Sequence, residues 1–180
     1  MKREANNPTS SLELGDNNSV TRALAISLGQ KLLHDNCTIA TAESCTGGQL
    51  SSAITSISGS SAYFHEGVCT YSNEAKIRYC NVNLTTLTEY GAVSAQIAEE
   101  MAAGIRSASN STYGLSTTGV AGPTGGSAAK PVGTVYLGLA TEKMTKHLKL
   151  SLTNMSRAEV TACSTIEAMK FILNELEQEG

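Results

Sequence analysis

The chain has 180 residues, 41% of them hydrophobic, and a net charge of −3 with no basic stripe, which fits one domain with a substantial core and argues against nucleic acid as a partner. No apolar run approaches the ~20 residues of a membrane span and the N-terminus carries no signal-peptide hydrophobic region, so a soluble, cytoplasmic protein without a membrane partner is expected. Cys37, Cys45, Cys69, Cys80 and Cys163 contain no C-x-x-C pair, and His34, His65 and His147 lie far apart, so neither a disulfide framework, a metal site nor a histidine-based triad is indicated.

Residues 1–18 are polar and without sustained period, and read as a flexible tail ahead of a domain spanning 19–180. Val20, Leu24, Leu28 and Leu32 recur at i+4 and predict a helix from about Ser19 to Asp35-Asn36. Cys37 to Ala42 suits a buried strand, and Thr46 to Ile57 a helix with Leu50, Ala53, Ile54 and Ile57 on one side. Val68 to Ser72 reads as a second strand, Glu74 to Tyr79 as a short helical turn, and Ser94 to about Ser107 as a helix capped by Ser94 with Ile97, Met101 and Ile105 aligned. Strands follow at Tyr113 to Thr118 and Val132 to Ala140, and a further strand, Thr145 to Leu152, pairs with the latter through the Thr141 to Met144 turn. Ser156 and Glu159 form a capping box for a last helix with Ala162, Ile166, Met169, Leu173 and Leu176 on one stripe. Alternating strands and helices imply an α/β layered fold with a largely parallel sheet and no repeat.

In such sheets ligands bind beyond the carboxyl ends of the strands. Three unusual loops follow proposed strands: Glu43–Gly48, Ser72–Lys76 and Gly119–Pro131. If those strands run parallel, the loops meet at one edge. The first places the Ser44 hydroxyl beside the Cys45 thiol at a strand-to-helix turn, where the N–H groups of Cys45, Thr46 and Gly47 are free to bind an anion or a developing oxyanion. Taken alone, Ser and Thr here also suit plain helix capping, Lys76 and Lys130 surface cations, and Tyr71 strand packing. Gly119–Gly126 does not match G-x-G-x-x-G and no loop ends in G-K-[ST], which leaves dinucleotide and P-loop readings weak, although Gly119, Gly122, Gly125 and Gly126 permit close backbone approach to a ligand.

Together the segments T-A-E-S-C-T-G-G (41–48), G-S-S-A-Y-F (59–64), T-Y-S-N-E-A-K (70–76), Y-G-A-V-S (90–94), T-G-V-A-G-P-T-G-G-S (118–127) and K-P-V-G-T-V (130–135) resemble, in content and order, the competence/damage-inducible CinA C-terminal domain, whose stand-alone members include nicotinamide mononucleotide deamidases. The resemblance covers roughly residues 19 to 177. It implies a single-domain three-layer α/β/α sandwich with a mixed, mostly parallel sheet, a homodimer or larger homo-oligomer, and hydrolysis of nicotinamide mononucleotide to nicotinate mononucleotide and ammonia without a metal or cofactor. Ser44 maps to the family's nucleophile, Lys76 to its proposed base and Tyr71 to its active-site tyrosine, and Glu43, Cys45, Thr46, Gly47, Gly48, Asn73, Gly119, Gly122, Gly125, Gly126, Lys130 and Arg157 form the implied substrate-contact set. A serine needs a partner to take its proton, and a lysine serves only when neutral, which requires burial or a nearby positive charge to bring its amine down from about 10.4. The family's Gly-Asp-Arg turn before the last helix is Met155-Ser156-Arg157 here, and Tyr79-Cys80-Asn81 stands where a leucine-glycine pair is typical. Two competing readings remain, a non-catalytic module that binds a pyridine nucleotide or a partner, and a thiol amidohydrolase with Cys45 as nucleophile.

Overall fold

The computed structural model describes residues 10–179, and the side chains of residues 17–178. In chain order the elements are α1 (Ser10–His34), β1 (Ile39–Glu43), α2 (Gln49–Thr55), a 3₁₀ turn (Ser60–Ala62), β2 (Phe64–Cys69), α3 (Asn73–Cys80), α4 (Leu84–Tyr90), α5 (Ala95–Ser109), β3 (Tyr113–Gly119), β4 (Thr134–Ala140), β5 (Thr145–Ser151) and α6 (Arg157–Glu179). Every predicted strand and helix has a counterpart, but β2 (Phe64–Cys69) begins four residues before the expected Val68 to Ser72, because Thr70 and Tyr71 form the connection to α3 and Ser72 is its N-cap. The first helix starts at Ser10 rather than near Ser19, because extending an existing helix costs far less than nucleating one. Its buried stripe is Ala25, Leu28 and Leu32, while Val20 is exposed. The part of the proposed tail at residues 1–9 lies outside the described residues.

One five-stranded sheet has the order β2-β1-β3-β4-β5. β1 pairs parallel with both β2 and β3, whereas β3–β4 and β4–β5 are antiparallel. The sheet is therefore mixed, with its parallel part around β1. No helix intervenes between β3 and β4 or between β4 and β5, so the chain doubles back at each of those connections.

Strand alternation sorts side chains between two helical layers. Ile39, Tyr113, Leu115, Val135, Leu137 and Leu139 pack in the layer with Leu28, Leu32, Leu50, Ile54, Met169 and Ile172 of α1, α2 and α6. On the other face Ala40 and Ala42 meet Ile97, Met101 and Ile105 of α5, with Leu87 of α4 and Cys80 of α3. Each large apolar side chain fully buried in this way contributes about 1.5–3 kcal/mol. α5 lies close against the sheet because Gly114 and Gly138 present no side chain, and a Cβ at either would collide with the Ala102 or Ala98 carbonyl.

Register brings the site together. Glu43 at the end of β1 stands level with Cys69, the end of β2, and with Thr117 on β3, which runs two residues further to Gly119, so all three parallel strands end at the same edge of the sheet. The loops expected to meet do meet.

Candidate active site

Glu43 starts the site from below. It is fully buried, and its carboxylate accepts hydrogen bonds from Thr46 Oγ1 (2.7 Å), Gly48 N (3.0 Å), Leu50 N (3.1 Å), Ser51 N (2.8 Å) and Ser51 Oγ (2.5 Å). The three amides are orphan donors at the N-cap and first turn of α2, so a carboxylate five residues before the helical N-cap does the capping. That N-cap is Gly48, at φ 99°, a left-handed conformation that favours glycine, and α2 begins at Gln49 rather than at Thr46. Neither Ser44 nor Thr46 caps the helix. The Ser44 hydroxyl is left for other work.

The Ser44 amide donates to Thr117 O at 2.9 Å, which ties the turn to β3. Thr46 Oγ1 also pairs with Thr117 Oγ1 at 2.7 Å, and Gly47 N donates to Ser44 O at 3.2 Å. Among the described residues the N–H groups of Cys45 and Thr46 donate to no other residue, the Cys45 amide facing its own thiol, whereas the third expected anion-binding amide, that of Gly47, is used within the turn.

Lys76 reaches this turn from α3. Ser72 caps that helix, its hydroxyl accepting from Ala75 N at 3.1 Å, and one turn further on the lysine side chain points inward. Lys76 is 1% exposed; its Nζ lies 3.0 Å from Ser44 Oγ and donates to the Thr70 carbonyl at 2.8 Å. Burial lowers its pKa, because the charged ammonium is disfavoured away from water, and among the described residues no carboxylate forms an ion pair with the amine. A neutral amine that donates one N–H to Thr70 O has its lone pair available for the Ser44 proton. The neighbouring thiol is tuned the other way. Burial pushes Cys45 up to about 11, which keeps it protonated and unreactive near neutrality.

A cavity of about 310 Å³ opens over the pair, lined by Ser44, Cys45, Tyr71, Asn73, Lys76, Ala92, Val93, Thr118–Gly122, Thr124, Gly125 and Arg157. All three proposed catalytic residues and, of the implied contact set, Cys45, Asn73, Gly119, Gly122, Gly125 and Arg157 therefore share one space. Glu43, Thr46, Gly47, Gly48, Gly126 and Lys130 do not line it. The first two are buried in the capping network, and Lys130 Nζ donates to the Tyr90 carbonyl at 2.5 Å, closing the C-terminal end of α4 instead of facing a ligand. Arg157 occupies the rim, with Nη1 on Gly122 O at 2.9 Å and Nη2 on Tyr71 Oη at 2.8 Å. Two contributors had no side-chain signature. The Thr70 carbonyl is a backbone group, and Thr117 acts mainly through its own carbonyl; only its place at the carboxyl end of β3 could have pointed to it. Among the described residues no three His, Cys, Asp or Glu side chains converge as metal ligands, and no helix is long and apolar enough to cross a membrane.

The family model of the CinA C-terminal domain matches residues 21–176. The chain belongs to the CinA C-terminal domain family. A CinA-like protein of Shewanella sediminis is 46% identical over 147 residues, covering 82% of this chain and 35% of its own, so the chain spans about a third of the length of the curated relatives it matches. Among solved structures, the competence/damage inducible protein CihA of Agrobacterium tumefaciens superposes with a TM-score of 0.84 at 36% identity, over 88% of this chain and 96% of its own. A CinA-superfamily protein of Klebsiella pneumoniae gives 0.84 at 30% identity, over 88% and 98%. These neighbours carry the same α/β sandwich, the fold that the CinA motifs implied.

Proposed function

We propose that this CinA-family domain hydrolyses the carboxamide of nicotinamide mononucleotide, with Ser44 as nucleophile and Lys76 as general base. The observation that carries the reading is the Lys76 amine, buried without a counter-ion among the described residues and 3.0 Å from the Ser44 hydroxyl, under a cavity large enough for a small molecule.

The steps follow from that arrangement. The Lys76 lone pair takes the Ser44 proton as Oγ bonds to the carboxamide carbon and the C=O electron pair moves onto oxygen. The oxyanion forms in the cavity beside Cys45, whose amide donates to no other residue and is the backbone donor available to stabilise it. The Lys76 ammonium returns its proton to the amide nitrogen, the C–N bond breaks, and ammonia leaves a nicotinoyl ester on Ser44. A water deprotonated by Lys76 then attacks the ester and regenerates the serine, releasing nicotinate mononucleotide. The cationic pyridinium ring of this substrate further disfavours a charged lysine, so the substrate helps to keep its own base active. The Gly119–Gly125 backbone, in the cavity wall, is suited to the ribose phosphate.

The Cys45 alternative loses its footing to burial, which holds the thiol protonated. Incubating the purified protein with nicotinamide mononucleotide, with ammonia and product mass as readouts, tests the reading. One ammonia per nucleotide and a product heavier by the NH₂-to-OH exchange are expected. Binding without ammonia release would make the domain a sensor, and neither binding nor release would remove the pyridine nucleotide altogether.

A further inference from the structure

Arg157 stands in the implied contact set as a substrate ligand, yet both arms of its guanidinium fork are committed to the protein. It opens α6, in the layer behind β1, and reaches across the mouth to two loops that leave the strands on either side of β1. Nη1 holds the Gly122 carbonyl of the glycine-rich loop, and Nη2 holds the Tyr71 phenol. Tyr71 is 60% exposed, and among the described residues this is the one hydrogen bond its hydroxyl makes. The ring therefore has little packing to fix it. The residue before it is Thr70, whose carbonyl takes the Lys76 amine, so whatever holds Tyr71 also sets the peptide that orients the base.

We propose that Arg157 is a positioning residue. It clasps Tyr71 and the Gly122 loop in the arrangement the reaction needs, and it acts on Lys76 through the Tyr71-Thr70 peptide rather than through the phosphate of the substrate. The inference rests on the deamidase reading for its kinetic arm only. A planar fork with two donors at a fixed spread is suited to bridging two separate oxygens, which a lysine ammonium on a flexible stem does poorly.

The test compares Arg157→Gln, Arg157→Lys, Tyr71→Phe and the Arg157→Gln/Tyr71→Phe double variant, on nicotinamide mononucleotide and on its dephosphorylated nucleoside. A hydrogen bond from a charged donor corresponds to a change of about ten- to a hundredfold in rate. Arg157→Gln is expected to lower kcat by that factor with KM nearly unchanged, by the same factor on nucleotide and nucleoside. Arg157→Lys should fail to rescue it. In the Tyr71→Phe background the same substitution should cost at least about threefold less than in the parent, because only the Gly122 contact is left to lose. A loss confined to KM, absent with the nucleoside and rescued by lysine, would make Arg157 a phosphate ligand and overturn the proposal. A second arm needs no turnover. With 3-fluorotyrosine incorporated and the Tyr71 line assigned by Tyr71→Phe, the ¹⁹F resonance of Tyr71 should shift and sharpen in Arg157→Gln as the ring is released; an unchanged line overturns the clasp. If the parent releases no ammonia, the deamidase reading fails while this arm still decides whether Arg157 holds Tyr71.

Discussion

Replacing Glu43 by glutamine tests whether this residue supports the site or contacts the substrate. The glutamine carbonyl can keep the place of Oε2 and its three donors, Thr46 Oγ1, Gly48 N and Leu50 N, but its NH₂ must then face Ser51 N, a donor against a donor. Losing a charge-assisted bond and stranding a buried N–H costs about 1.5–3 kcal/mol. The three surviving bonds weaken by about 1 kcal/mol each as their acceptor becomes neutral, and the favourable charge at the helix N-terminus disappears. Relief from burying an ionised group offsets part of this. We expect a net loss of about 3 kcal/mol, against about 5 kcal/mol for Glu43→Ala, which strands the amides of Gly48, Leu50 and Ser51, while the Thr46 and Ser51 hydroxyls keep Thr117 and Thr41 as partners. For a chain of this length 3 kcal/mol lowers Tm by about 6–12 °C. Urea unfolding followed by circular dichroism, with thermal melts alongside, measures both. A glutamine variant within about 0.5 kcal/mol of the parent but without activity would refute the reasoning and return Glu43 to the substrate-contact set.

Ser44→Ala should abolish ammonia release while leaving the melt intact, whereas Cys45→Ala should keep activity within about tenfold, the cost of a small cavity beside the nucleophile; the reverse pattern would install the thiol as nucleophile. Lys76→Arg should be inactive despite its charge, because a guanidinium stays protonated, and in the parent kcat/KM should rise with pH through an apparent pKa below that of free lysine, the direction burial imposes. Because the folded-state pKa of Lys76 is depressed, the native state binds fewer protons than the unfolded chain between the two values, so parent stability climbs with pH across that window. Lys76→Met should therefore melt above the parent at neutral pH, with the gap closing towards about pH 10, and a gap that widens with pH would contradict the burial of an uncompensated amine. Gly104→Ala in α5 should destabilise by about 2 kcal/mol in urea unfolding even though alanine is the better helix former by about 1 kcal/mol, since its Cβ would strike the Cys80 carbonyl.

Periodicity and capping chemistry were legible where one physical signal dominates. Ser94 does cap α5, its hydroxyl accepting from Ile97 N, and Ser156 and Glu159 do exchange the two bonds of a capping box. The convergence of three loops followed from the condition that the strands they leave run parallel, which β1, β2 and β3 do. Helix α4 left no readable trace: Leu84-Thr85-Thr86-Leu87-Thr88-Glu89-Tyr90 holds one buried leucine among β-branched residues, and its start depends on the Asn83 side chain accepting from Thr85 N. The later start of α2 was hidden because its cap is a glutamate from the preceding strand rather than a local Ser or Thr. Within the candidate site, residue type and motif singled out Ser44, Lys76 and Tyr71, which the structure brings to one cavity, but whether a cation faces a ligand or a carbonyl is decided by tertiary packing. That is why Lys130 is tied to α4 and Arg157 to the rim.

The Ser44–Lys76 contact joins residues 32 apart, and the Thr46–Thr117 contact that seats the turn joins residues 71 apart. Each closes a long stretch of chain and forms only with the non-local β1–β2 and β1–β3 pairings, which come late relative to local helices. In a partly folded copy the lysine is solvated and protonated, and the serine is an ordinary alcohol. On the proposed mechanism, nucleophilic reactivity is thus switched on by completion of the sheet, and nascent or unravelling copies are chemically silent towards amides and esters. A serine-directed covalent probe applied during refolding would count finished molecules rather than total chain.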